Sequence, residues 1–153
     1  GRVQASVEVL ASEQSTSSTL IDRLRSAMNE HSVLRGQVIS FSASTFDYGN
    51  GTLTFLARPV VPAESIVLPP GALDRVRAHA IGIREHALRI REGGGHLKRG
   101  VLLHGPPGTG KTLTVSHLIS EATGITTIVL TGQAIRFISE ATQLARAMQP
   151  SMV

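Results

Sequence analysis

Cysteine is absent from these 153 residues, and that excludes disulfides, thiol nucleophiles and zinc–thiolate centres together. Tryptophan is absent too, and aromatics make up only 3% of the chain, so a core has to be built from Val, Ile, Leu and Ala. Lysine is scarce: Lys98 and Lys111 are the only two, and the remaining positive charge is arginine. No apolar run approaches the roughly 20 residues of a membrane-spanning helix, and no signal peptide is visible. The expectation is a cytoplasmic protein with no membrane partner. An apolar fraction of 41% is ordinary, and the length suits one domain, or a small domain with part of another. The chain begins with Gly rather than Met, which reads as a cut or processed terminus.

Net charge is +4. Between Gly71 and Gly100 lie Arg75, Arg77, Arg84, Arg89, Arg91, Lys98 and Arg99, against Asp74, Glu85 and Glu92. A solvated helix face accounts for such a run. Phosphate neutralisation by clustered arginine is the competing reading. No aromatic side chain interleaves the basic ones, so a stacking platform for single strands is not supported.

What the sequence does contain is Gly105-Pro106-Pro107-Gly108-Thr109-Gly110-Lys111-Thr112, directly after the apolar run Val101-Leu102-Leu103. The spacing is Gly-x4-Gly-Lys-[Ser/Thr], and the context predicts a strand, a glycine-rich turn and a helix. Gly105, Gly108 and Gly110 lack Cβ, so the backbone can approach phosphate oxygens closely. Amides from about Gly108 to Thr112 then face one concavity at the positive end of the helix that follows. Lys111 reaches the β- and γ-phosphates as a point charge, and the Thr112 hydroxyl is placed to ligate Mg2+. Pro106 and Pro107 stiffen the loop, and Leu113 completes the nucleotide-binding stretch. These residues predict a nucleoside triphosphate and Mg2+ as ligands, with Lys111 as the catalytic residue.

The form G-P-P-G-T-G-K-T, led in by Lys98-Arg99-Gly100-Val101-Leu102-Leu103-His104, resembles the AAA ATPase family of the AAA+ superfamily. The resemblance runs from about Ile66 to Val153. It implies an ATP hydrolase that remodels proteins or macromolecular complexes, usually as a homo-oligomeric, hexameric ring with a protein substrate or adaptor. Leu113 to Ala122 is similar to the family's first core helix, closed by Gly124, and Thr126 to Thr131 to its second strand. Ser151-Met152-Val153 is similar to the start of its third. The resemblance places the acids that complete the metal site, the polar sensor, the arginine finger and the helical lid past Val153. Glu140 is the only acid after Glu121, so no general base can be named. The residues in hand are expected to bind nucleotide weakly and not to turn it over efficiently.

Residues 1–60 read as a separate small α/β module, 61–71 as a linker bracketed by Pro59, Pro62, Pro69 and Pro70, and 72–153 as a partial ATPase core. Val3, Ala5, Val7 and Val9 alternate with polar residues as in a half-buried strand. Thr19 with Asp22 marks a helix start, with Leu20, Ile21, Leu24, Ala27 and Met28 on one face. Gln37–Phe41 and Thr52–Ala57 are strand-like, joined through Asp47-Tyr48-Gly49-Asn50-Gly51 with its Asn-Gly hairpin turn. Phe41, Phe46 and Phe55 are assigned to core packing, with substrate gripping as the alternative. Ile66-Val67-Leu68 either lines the base pocket, as the resemblance implies, or forms a buried strand or linker. Leu73, Val76, Ala80, Ile83, Ala87 and Ile90 predict one helix over 72–92, ended by Gly93-Gly94-Gly95. His79 and His86 lack a third ligand at suitable spacing, so a metal is not expected there. Phe137-Ile138-Ser139-Glu140 is similar to the motif by which AAA unfoldases grip a threaded chain, except that Ser139 stands in place of glycine. The competing reading packs Phe137 inside one helix from Gln133 to Met148.

The fold expected is α/β: an incomplete three-layer P-loop NTPase core, preceded by a small α/β module with a β-hairpin. Two other functions stay open: a nucleic-acid-associated AAA+ motor or clamp-loader-like ATPase, and a non-catalytic nucleotide-binding regulatory module.

Overall fold

The computed structural model describes residues 8–43 and 51–153. Helix α1 spans Gln14–Glu30 and leads to strands β1 (Val38–Ala43) and β2 (Gly51–Leu56). Helices α2 (Ala72–Ala80) and α3 (Ala87–Glu92) flank a 3-10 turn at Gly82–His86. Helix α4 (Lys111–Glu121), strand β3 (Thr126–Val129), a 3-10 turn at Gly132–Phe137, helix α5 (Ile138–Ala147) and strand β4 (Ser151–Met152) follow. No helix among the described residues is long and apolar enough to cross a membrane.

The four strands form one sheet in the order β2-β1-β3-β4. The β1–β2 pair is antiparallel and sets Ile39 opposite Phe55; β1–β3 and β3–β4 are parallel. The hairpin pairing expected from the sequence is therefore present; Phe46 and the turn residues up to Asn50 lie outside the described residues, and Gly51 opens β2. The expected boundary between 1–60 and 72–153 does not separate two sheets, because Val38, Ile39 and Ser40 pair with Thr127, Ile128 and Val129.

Val38 and Ile39 are adjacent and both buried, as are Thr126, Thr127 and Ile128. Successive strand residues point to opposite faces, so both faces of the sheet are covered here. This is a mixed α/β fold with a central sheet and flanking helices, consistent with part of a P-loop NTPase core. One face holds Ile39, Phe41 and Ile128 against Ala134, Phe137 and Ala141 from the last turn and α5. Phe137 stacks on Phe41, with ring centroids 5.6 Å apart.

Several local expectations need correction. The strand reading of residues 1–9 falls mostly outside the described residues, and Glu8 and Val9 form no strand. Helix α1 begins at Gln14 rather than near Thr19, and Thr19 Oγ1 donates to the Ser15 carbonyl at 2.8 Å. Serines and threonines bonding back to carbonyls one turn earlier let a stretch that reads as a helix approach become helix. The helix expected over 72–92 is interrupted at Ile81 and Gly82, where glycine lowers helical stability by about 1 kcal/mol. Its glycine stop is as expected: Gly94 takes φ +73°, Gly95 N donates to Ile90 O and Gly94 N to Arg91 O, a Schellman closure. The single helix expected over 133–148 is a 3-10 turn followed by α5. Phe55 is 55% exposed, so it lies outside the core that holds Phe41. Edge position explains this, because β2 has only one neighbour among the described strands.

Candidate functional site: the glycine-rich loop before helix α4

The loop 105–110 turns sharply. Gly105, Gly108 and Gly110 have φ of +155°, +80° and +79°, conformations that residues with a Cβ rarely adopt. A Cβ on Gly105 would also lie 3.1 Å from Thr109 Oγ1, so the close turn needs glycine for space as well. Thr109 Oγ1 donates to the Pro106 carbonyl at 2.9 Å and braces the turn. Gly110 then opens α4 with no side-chain cap on its first turn.

Lys111 and Thr112 are the first two residues of α4, where the amides have no partner one turn earlier. The amides of Gly108 and Gly110 donate no backbone hydrogen bond among the described residues. A run of free N–H groups at the positive end of a helix is an anion cradle. Lys111 Nζ folds over it, 2.9 Å from the Gly105 carbonyl and 2.7 Å from that of Pro106. Phosphate oxygens arriving at the loop can replace these carbonyls as acceptors for the ammonium.

The residues fit a triphosphate and its cation in kind. Lys111 supplies one positive charge, Gly108 to Leu113 supply amides, and exposed Thr112 offers one hydroxyl oxygen as a hard ligand for Mg2+. Pro106, Pro107 and Leu113 line the exposed side of the same turn. Among the described residues no group of three His, Asp or Glu is arranged to hold a metal. The nearest acid along α4, Glu121, is spent elsewhere, bonded to Arg77 and 3.8 Å from His117 Nε2.

The run Val101-Leu102-Leu103 does not form the strand expected before the loop, and Leu102 is 89% exposed. A strand exists only through hydrogen bonds to a neighbour, and no described strand lies beside this run. Ile66-Val67-Leu68 forms no strand either, and Val67 is 92% exposed. His79 Nε2 lies 3.2 Å from the Gly100 carbonyl, and His86 Nδ1 accepts from Arg89 at 2.9 Å, so neither pairs with the other. Phe137 is 5% exposed and belongs to the core, which corrects the gripping alternative.

Two contributors around α4 escaped sequence reasoning. His117 is buried, with Nδ1 2.8 Å from the Val61 carbonyl. Arg58 donates to carbonyls of Ile119, Ala122, Gly36 and Ile125. The one available signal was a lone arginine in the apolar run Phe55-Leu56-Ala57-Arg58-Pro59-Val60-Val61, where a charge has to find acceptors.

Comparison with known proteins gives the same reading of this region. Residues 101–151 match the family described as "ATPase family associated with various cellular activities (AAA)". An "ATPase family AAA domain-containing protein 3A homolog" of Drosophila melanogaster is 38% identical over 76 residues, 50% of this chain and 12% of that protein. The "ATP-dependent zinc metalloprotease FtsH 1" of Symbiobacterium thermophilum is 36% identical over 98 residues, 59% of this chain and 16% of that protein. The chain thus spans 12% and 16% of the lengths of these two relatives. No solved structure matches it significantly. With its glycine-rich loop and lysine in place, this region is a partial match to an AAA-type ATPase domain, the P-loop NTPase unit that its two relatives also carry in part.

Proposed function

We propose that this chain is the phosphate-binding part of an ATPase that couples ATP hydrolysis to remodelling of a protein or macromolecular complex, working as a homo-oligomeric ring. The observation that carries the nucleotide reading is the loop itself: three glycines at positive φ and unspent amides beneath the Lys111 ammonium. Lys111 would stabilise charge on the transferred phosphoryl group, and Thr112 would hold Mg2+. When bound there, the cation would offset part of the negative charge of the triphosphate. Remodelling and ring assembly rest on family likeness, including a relative whose name couples ATP dependence to a protease.

The test measures ATP hydrolysis by the full-length protein in the presence of Mg2+. That protein should hydrolyse ATP, and Lys111→Ala should abolish turnover. Equal hydrolysis with alanine at 111 would remove the assignment of that lysine.

The nucleic-acid alternative gains little from the arginine-rich segment. Arg77 bonds Glu121, Arg84 the Thr123 carbonyl, Arg89 His86, and Arg99 the carbonyls of His96 and Lys98. Arg77 is thus paired with an acid, and three more of the seven basic side chains already hydrogen-bond within the protein.

A further inference from the structure

Helix α4 presents Lys111 and Thr112 at one end, so whatever holds its other end also aims the loop. The last carbonyls of a helix have no intrahelical partner and carry the negative end of its dipole. Half-buried Arg58, just past β2, meets that need. Its Nη1 donates to Ile119 O at 2.6 Å and Ala122 O at 3.0 Å. Its Nη2 donates to Gly36 O at 2.8 Å, at the entry to β1, and to Ile125 O at 3.2 Å, at the entry to β3. One guanidinium therefore joins the end of α4 to the starts of the two central strands. A few residues on, the Val61 carbonyl lies 2.8 Å from His117 Nδ1 and accepts from Ser120 Oγ at 3.3 Å. Residues 58–61 thus grip the C-terminal half of α4 by side chain and backbone together.

The geometry points to Arg58 as a positioning residue for the phosphate-binding loop. Fixing the C-terminal end of α4 against the entries of β1 and β3 fixes the direction of a rigid rod. The loop sits at its far end, about 16 Å away at 1.5 Å per residue. The planar fork suits four carbonyls that diverge from one point, whereas a lysine ammonium reaches fewer of them. The inference rests on the reading that the loop takes a nucleotide.

The test compares Arg58→Gln, Arg58→Lys and Lys111→Ala in the full chain. Amide hydrogen exchange is followed without nucleotide, well below the unfolding midpoint, and affinity is measured with a fluorescent ATP analogue plus Mg2+. Arg58→Gln should speed exchange across Gly110 to Leu118 about tenfold while Ile39 and Ile128 keep their protection. It should weaken analogue binding about tenfold, because a small misplacement of a site costs that much or more, and Arg58→Lys should recover part of both. Equal loss of protection in helix and sheet would make Arg58 a general stabiliser, and unchanged exchange and affinity would remove its role altogether. Either result overturns the proposal. If the unsubstituted chain binds no analogue, or Lys111→Ala binds equally well, the nucleotide reading fails instead. The exchange pattern alone then decides whether Arg58 orients α4.

Discussion

Phe137 lies against Phe41 with an interplanar angle of 23°, and this pair fastens the turn before α5 to the centre of the sheet. The Arg136 guanidinium sits 4.8 Å from the Phe137 ring centroid and closes the outer side of that contact. A ring held from both sides contributes to stability and is withdrawn from any surface. Phe137→Ala should cost about 3–5 kcal/mol in urea unfolding, the range for emptying an aromatic site in a core. Phe55→Ala, on the exposed edge strand, should cost under about 1 kcal/mol. Equal losses at the two positions would contradict the assignment of the core.

Thr126 is buried, and its hydroxyl serves two backbone groups. Oγ1 accepts from Gly36 N at 3.1 Å and donates to the Met148 carbonyl at 3.1 Å. Valine has nearly the same shape and would leave both without that partner. Thr126→Val should therefore destabilise the chain by about 1–3 kcal/mol, read from a lowered urea midpoint at unchanged m-value. A stability equal to that of the parent would show that water replaces the hydroxyl.

Gly110 separates backbone strain from crowding. An added Cβ would meet no atom within 4 Å, yet φ is +79°. Gly110→Ala should cost about 1–2 kcal/mol through the left-handed backbone alone. Because that backbone aims the amides, nucleotide affinity should fall roughly tenfold, which corresponds to about 1.4 kcal/mol. Titration with a fluorescent ATP analogue checks this, and undiminished affinity would mean that the loop tolerates a different path.

Salt dependence addresses the nucleic-acid alternative. An ATPase that does not use nucleic acid should hydrolyse ATP at the same rate with or without DNA. Stimulation by DNA that falls steeply between 50 and 200 mM salt would instead favour a motor contacting several phosphates, each adding about one unit to the log–log slope.

Local features were legible from the residues, and long-range ones were not. The glycine-rich loop declares itself because its conformation is dictated by Gly105, Gly108 and Gly110 themselves. The hairpin follows from local pattern, whereas the strands at Thr126 and Ser151 are what the family resemblance implies. Val101-Leu102-Leu103 has strand composition, but a ladder depends on a neighbour that composition does not specify. Phe55 looks like Phe41 in sequence, and only the strand order β2-β1-β3-β4 tells the edge from the interior. Arg58 finds acceptors 22 to 67 residues away, a separation that no periodicity encodes.

The mixed sheet also dictates an order of assembly. Ser42 and Thr54 meet across 12 residues of chain, whereas Ser40 and Val129 meet across 89. Closing the larger circuit costs about 2 kcal/mol more in chain entropy, so the hairpin should form first and await the arrival of β3. Pulse-labelled exchange during refolding should find the β1–β2 amides protected before that of Thr127, whose N–H donates to the Gln37 carbonyl. The guanidinium clamp, needing both strands and the finished helix, would then be among the last contacts made.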